Sequence, residues 1–125
     1  MVAIICGEPD ATALVARLSG SGHAITSPLA IYEAVLAVRR VLRGSIADAQ
    51  QDVSDLIVQA GIAVMPTTPA EAELALAAFA RFGKGQGHPA QLNMGDCFAY
   101  AAARHRGAAV LCTGGDFART DIPLA

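Results

Sequence analysis

The chain has 125 residues, enough for one domain with a true core and too few for two. Hydrophobic residues make up 54% and charged residues 16%, which excludes a disordered chain and turns much of the Ala, Val, Leu and Ile inward. Nine basic and eleven acidic residues leave a net charge of -2, so no broad positive field advertises nucleic-acid binding, and any such contact must be local. Four Phe, two Tyr and no Trp leave little for base stacking. No apolar run approaches the roughly 18 residues of a membrane span, and Met1 to Cys6 lacks the charged start of a secretory leader, so a cytoplasmic protein with no membrane partner is expected. Cys6, Cys97 and Cys112 form no C-x-x-C pair, which predicts reduced, mostly buried thiols and neither a disulfide framework nor a zinc site.

In chain order, Met1 to Cys6 reads equally as a buried strand or as the first turns of a helix, because periodicity decides nothing over so short a run. Pro9-Asp10 opens a helix carrying Ala11, Leu14, Val15 and Leu18, closed by Ser19-Gly20-Ser21-Gly22. His23 to Thr26 reads as a strand. Ser27 then caps a helix with Pro28 at its first position, running to about Arg43. Gly44-Ser45 breaks it, and Ile46 to Gln59 forms an exposed helix that Gly61 stops. Ile62 to Met65 is a second strand. Thr68-Pro69-Ala70-Glu71 starts an alanine-rich helix to about Phe82, and residues 83–89 form a glycine-rich loop. Asn93 caps a helix through Arg106 that Gly107 ends, and Ala108 to Cys112 reads as a buried strand leading into Thr113-Gly114-Gly115-Asp116. Helices alternating with short strands that lack polar alternation predict an α/β fold, a parallel sheet covered on both faces, in one domain spanning 1–125.

In such a sheet, functional groups gather beyond the C-terminal ends of the strands. Glu33 lies early in the helix after strand 23–26. Asp96 lies in the first turn of the helix before strand 108–112, and Asp116 follows that strand. All three are therefore expected on one rim. Neighbouring carboxylates repel unless a hard divalent cation such as Mg2+ or Mn2+ neutralises them, and such an ion activates water against a phosphodiester. Each acid also has a plainer reading. Glu33 would be a surface glutamate, although Leu29, Leu36 and Ala37 at helical spacing offer it no cation. Asp96 would complete a cap with Asn93. Asp116 and Asp121 would be turn residues. His23, His88 and His105 share no ligand spacing and read as surface or strand-edge residues. Glycines 83, 85 and 87 lack the flanking strand and helix of a nucleotide loop. Arg39, Arg40 and Arg43 suit a helix C-terminus, with contact to an RNA backbone as the alternative.

Four stretches carry a family resemblance: Gly7-Glu8-Pro9-Asp10-Ala11, Thr26 through Ala34, Leu92-Asn93-Met94-Gly95-Asp96-Cys97-Phe98-Ala99-Tyr100, and Leu111 through Ile122. In this order they resemble the PIN-domain VapC toxins along essentially the whole chain, and Asn-x-Gly-Asp-Cys-x-Ala-Tyr is the most specific piece. The resemblance implies a three-layer α/β/α fold with a small parallel sheet. It also implies an endoribonuclease using Mg2+ or Mn2+, a homodimer, and silencing by a VapB-like antitoxin. Glu33 and Asp96 match the family's second and third acids, and Asp116 matches the fourth region. The same register places Met1 to Cys6 inside the first helix, so the family's first central strand and its aspartate are expected upstream of Met1. Gly115 stands where many relatives carry Asp or Asn, which predicts weaker metal affinity. The competing expectation is a catalytically impaired PIN-fold module that pairs with an antitoxin or RNA. An unrelated small-molecule binder would require all four matches to be chance.

Overall fold

The caps read from the sequence mark where helices begin in the computed structural model, which covers Met1–Ala125. The fold is mixed α/β, with six helices and one two-stranded parallel sheet. The chain divides into two units, Met1–Met65 and Pro66–Ala125.

In the first unit, α1 (Val2–Ile5) is a single helical turn, as the family register implied, and α2 spans Ala11–Gly20. Strand β1 (Ile25–Thr26) leads into α3 (Pro28–Leu42), where the Ser27 hydroxyl accepts from Ala30 N at 3.2 Å and Pro28 fills a position that needs no donor. Arg43 ends α3 in the left-handed conformation at φ 55°, a position that glycine usually fills because a Cβ crowds the backbone there. Ser45 and Asp48 form a reciprocal cap for α4 (Ile46–Gln59), and β2 (Ala63–Val64) follows. Apolar residues at helical spacing, Ala34, Val35 and Val38 of α3 and Ala49 and Val53 of α4, bury against each other, with Ile5 and Ile57 packed alongside.

The sheet corrects one expectation. Pairing joins Ile25 to Ala63 and Thr26 to Val64 in parallel, so the connection through α3 and α4 is as predicted. The strands are shorter than read, however, and Ile25, Ala63 and Val64 are exposed. A run of apolar residues indicated burial on both faces, but the burial of so short a strand depends on which neighbours cover it, and its own sequence does not carry that information.

The second unit is built on α5 (Pro69–Phe82) and α6 (Met94–Arg106), each opened by a reciprocal cap, Thr68 with Glu71 and Asn93 with Asp96. Small residues on the facing sides, Ala75 and Ala78 of α5 and Cys97 and Ala101 of α6, let the helices approach, and Phe82, Leu92, Tyr100, Val110, Phe117 and Ile122 complete the core. Ala108 to Cys112 is not the strand expected. Only Val110 makes a bridge, to Leu124, with Val110 N donating to Pro123 O at 2.8 Å and Ala125 N donating to Val110 O at 3.1 Å. Its backbone groups are satisfied by the last residues of the chain, a partner that its apolar character could not name. No helix of either unit is long and apolar enough to cross a membrane.

Candidate functional site

Asp96 sits on the third residue of α6. Its backbone N–H donates to Asn93 Oδ1 at 2.9 Å, and its Oδ2 accepts from Asn93 N at 3.0 Å. The plain capping reading of Asp96 is therefore fulfilled. The cap also locks the carboxylate's rotamer and leaves Oδ1 with no hydrogen bond. Burial pushes the Asp96 carboxyl above the ordinary aspartate value, the bond from Asn93 works against that, and the negative charge of Asp116 adds to the rise.

Asp116 stands at the N-terminus of a single 3-10 turn, Phe117–Arg119, that follows the glycine pair Gly114-Gly115. Phe117 is buried and anchors the turn, while Asp116 stays half-buried with Arg119 Nη1 at 3.6 Å from its Oδ1. Asp96 and Asp116, twenty positions apart in the chain, are thus within electrostatic reach of each other in the second unit. Glu33 is exposed on α3 in the first unit. Within neither unit do three or more His, Cys, Asp or Glu side chains gather as a metal site. The Asp96 and Asp116 pair is nonetheless a donor set of the right chemistry for Mg2+ or Mn2+: two carboxylates, hard oxygen ligands, one of them partly desolvated and destabilised by the other's charge. Thiol ligands are not part of it, because Cys97 is buried and its thiol is pushed up by burial and by Asp96.

Two acids have partners that sequence reasoning missed. Asp121, read as a turn residue, accepts from the Tyr100 hydroxyl at 2.6 Å and lies 3.1 Å from Arg81. These contacts, led by the Tyr100 bond, hold its carboxyl below the usual range. Glu71, read only as a cap, is 2% exposed and forms an ion pair with Arg106. Tyr100 stands one turn after Asp96 in the family-like stretch, which is the sequence signal that could have drawn attention to it. His88 also departs from the surface reading: it is half-buried, its Nδ1 accepts from Ala90 N at 3.1 Å, and its ring meets Phe82 edge-on at 5.0 Å. That makes it a loop brace. Arg39, Arg40 and Arg43 are exposed at the end of α3.

The profile of the family described as "PIN domain" matches residues 1–123. A VapC ribonuclease of Rhizobium meliloti (strain 1021) is 42% identical over 134 aligned residues, covering 98% of this chain and 94% of the relative. Ribonuclease VapC28 of Mycobacterium tuberculosis (strain H37Rv) is 36% identical, covering 100% of this chain and 92% of its own length. Ribonuclease VapC42 of the same strain is 35% identical over 98% of this chain and 91% of its own.

Proposed function

This chain belongs to the PIN-domain family, and from that premise we propose that it is a metal-dependent endoribonuclease, the toxin of a VapBC-type toxin–antitoxin pair. The observation that carries the reading is near-full-length identity of 42% and 36% to relatives whose names describe them as ribonucleases. The two carboxylates of the second unit supply a chemical reason for it.

Asp96 and Asp116 of the second unit are the residues assigned to hold Mg2+ or Mn2+, and Glu33 is kept as a third acid on the family resemblance alone. When bound there, such an ion would supply Lewis-acid chemistry, polarising a phosphoryl oxygen and making water a better nucleophile. Asp96 would offer Oδ1, its carboxylate being oriented by the backbone N–H of Asn93 on Oδ2. Asp116 contributes a carboxylate whose charge Arg119 partly balances. In the proposed reaction the water oxygen forms a new bond to phosphorus and gives up a proton, the P–O bond to the leaving sugar oxygen breaks, and that oxygen takes up the proton through solvent. A VapB-like antitoxin, a homodimer, a cytoplasmic setting and a single domain over 1–125 complete the proposal. The family profile runs through both units, which supports the last of these.

A catalytically impaired PIN-fold module that pairs with antitoxin or RNA is the second reading. The pairing of Arg119 with Asp116 favours it, because that cation competes for the charge a metal ion would use. Cleavage of mixed RNA with Mn2+, by the parent chain and by Asp96→Asn, separates the two. Activity in the parent that disappears with chelator and with Asp96→Asn supports the nuclease. Cleavage that survives Asp96→Asn refutes the metal-site assignment, and a parent inert in Mn2+ that still binds RNA or antitoxin supports the second reading.

A further inference from the structure

The function above uses Asp96 and Asp116 but gives Asp121 no part, although Asp121 joins the elements that carry both. Tyr100 follows Asp96 by four residues on α6, so the two side chains share one helix face a turn apart. Asp121 follows Asp116 by five residues, in a segment whose Phe117 and Ile122 are buried in the core of the second unit. The Tyr100 hydroxyl donates to Asp121 Oδ1 at 2.6 Å. That one bond closes a ring of short links, from Asp96 along the helix to Tyr100, across to Asp121, and back along the chain to Asp116. Arg119 Nη1 donates to Pro89 O at 3.1 Å and braces the same segment at a second point. Apolar contacts at Phe117 and Ile122 hold the segment down without fixing its direction, whereas a short hydroxyl–carboxylate bond is directional.

We propose that Asp121 is a positioning residue: by accepting the Tyr100 hydrogen bond it holds the Asp116 segment against the face of α6 that bears Asp96. It thereby sets the separation of the two carboxylates that share a divalent cation. The inference rests on the metal reading given above. Arg81 has a lesser role, since its pairing with Asp121 is solvent-exposed and weak.

The test is Mn2+ binding to the full chain, followed by the electron paramagnetic resonance signal of free Mn2+, together with kcat and KM on RNA. All are measured at a temperature where circular dichroism shows each variant folded. Asp121→Ala is expected to weaken Mn2+ binding about 10-fold, the size usual for groups that orient metal ligands, and to lower kcat while KM for RNA stays unchanged. Tyr100→Phe, which removes a single hydroxyl, is expected to do the same, and the double variant to add little to either. Asp121→Asn keeps the acceptor for Tyr100 and should restore most of the affinity. Arg81→Ala should leave it unchanged. Mn2+ affinity equal to the parent's in both Asp121→Ala and Tyr100→Phe, while Asp96→Asn loses binding, overturns the positioning role and leaves the nuclease reading intact. Parent-like Mn2+ binding by Asp96→Asn overturns the underlying reading and the inference with it.

Discussion

Removing Arg106 should destabilise the second unit far more than a typical surface change, because it strands a buried carboxylate. Glu71 is 2% exposed, and its partner's side chain is 20% exposed. Without Arg106, Glu71 keeps one donor, the backbone N–H of Thr68 at 2.9 Å on Oε2, while Oε1 loses its cation. Breaking a buried pair by deleting one partner typically costs about 3–5 kcal/mol. The surviving Thr68 bond and the partial exposure of Arg106 put Arg106→Ala at the lower end, about 3 kcal/mol. With an m-value of about 1.5 kcal/mol/M, that is a fall of about 2 M in the urea midpoint, read by circular dichroism at equilibrium. Replacing both partners together, Glu71→Leu with Arg106→Met, removes the stranded charge. It should lose only about 1 kcal/mol, mainly the cap bond to Thr68. An Arg106→Ala variant within about 1 kcal/mol of the parent, or a double replacement worse than the single, would refute the claim that a buried, mutually dependent charge pair joins the start of α5 to the end of α6.

Asp96→Asn should stabilise the metal-free chain at neutral pH while removing activity. The folded-state pKa of Asp96 is raised, so its contribution to stability is full below the ordinary value of 3.8 and is lost as pH rises through the raised value. The advantage of the variant should therefore grow across that window and level off above it; urea melts in chelator at several pH values check this, and an advantage that shrinks with rising pH contradicts the sign. Gly115→Asp should fold normally, because an added Cβ meets only the tip of Arg119 at 4.0 Å. It should bind Mn2+ more tightly, both by adding an oxygen ligand and by drawing Arg119 off Asp116; calorimetry giving an unchanged affinity rejects this. Gly83→Ala should destabilise the chain although φ there is an ordinary -68°, since the new Cβ would collide with the carbonyl oxygen and ring of Phe79. A melting temperature equal to the parent's would show that this turn yields easily.

The four long helices were legible from the amino-acid order because their ends depend on neighbours a few positions away. Ser27 with Ala30, Thr68 with Glu71 and Asn93 with Asp96 each close a hydrogen-bonded cap within three residues, and the periodic apolar positions between caps define the buried face. The same locality makes Asp96 visible as a cap, and the Asn-x-Gly-Asp-Cys-x-Ala-Tyr stretch marks it as a candidate ligand as well. Tertiary structure alone decided the rest. Tyr100 meets Asp121 across 21 positions and Arg106 meets Glu71 across 35, and Val110 takes its backbone partners from the last residues of the chain. A side chain's charge or hydrogen-bonding capacity is written in its own identity, but which distant group satisfies it is set by how helices and loops pack, and that packing is a property of the whole chain.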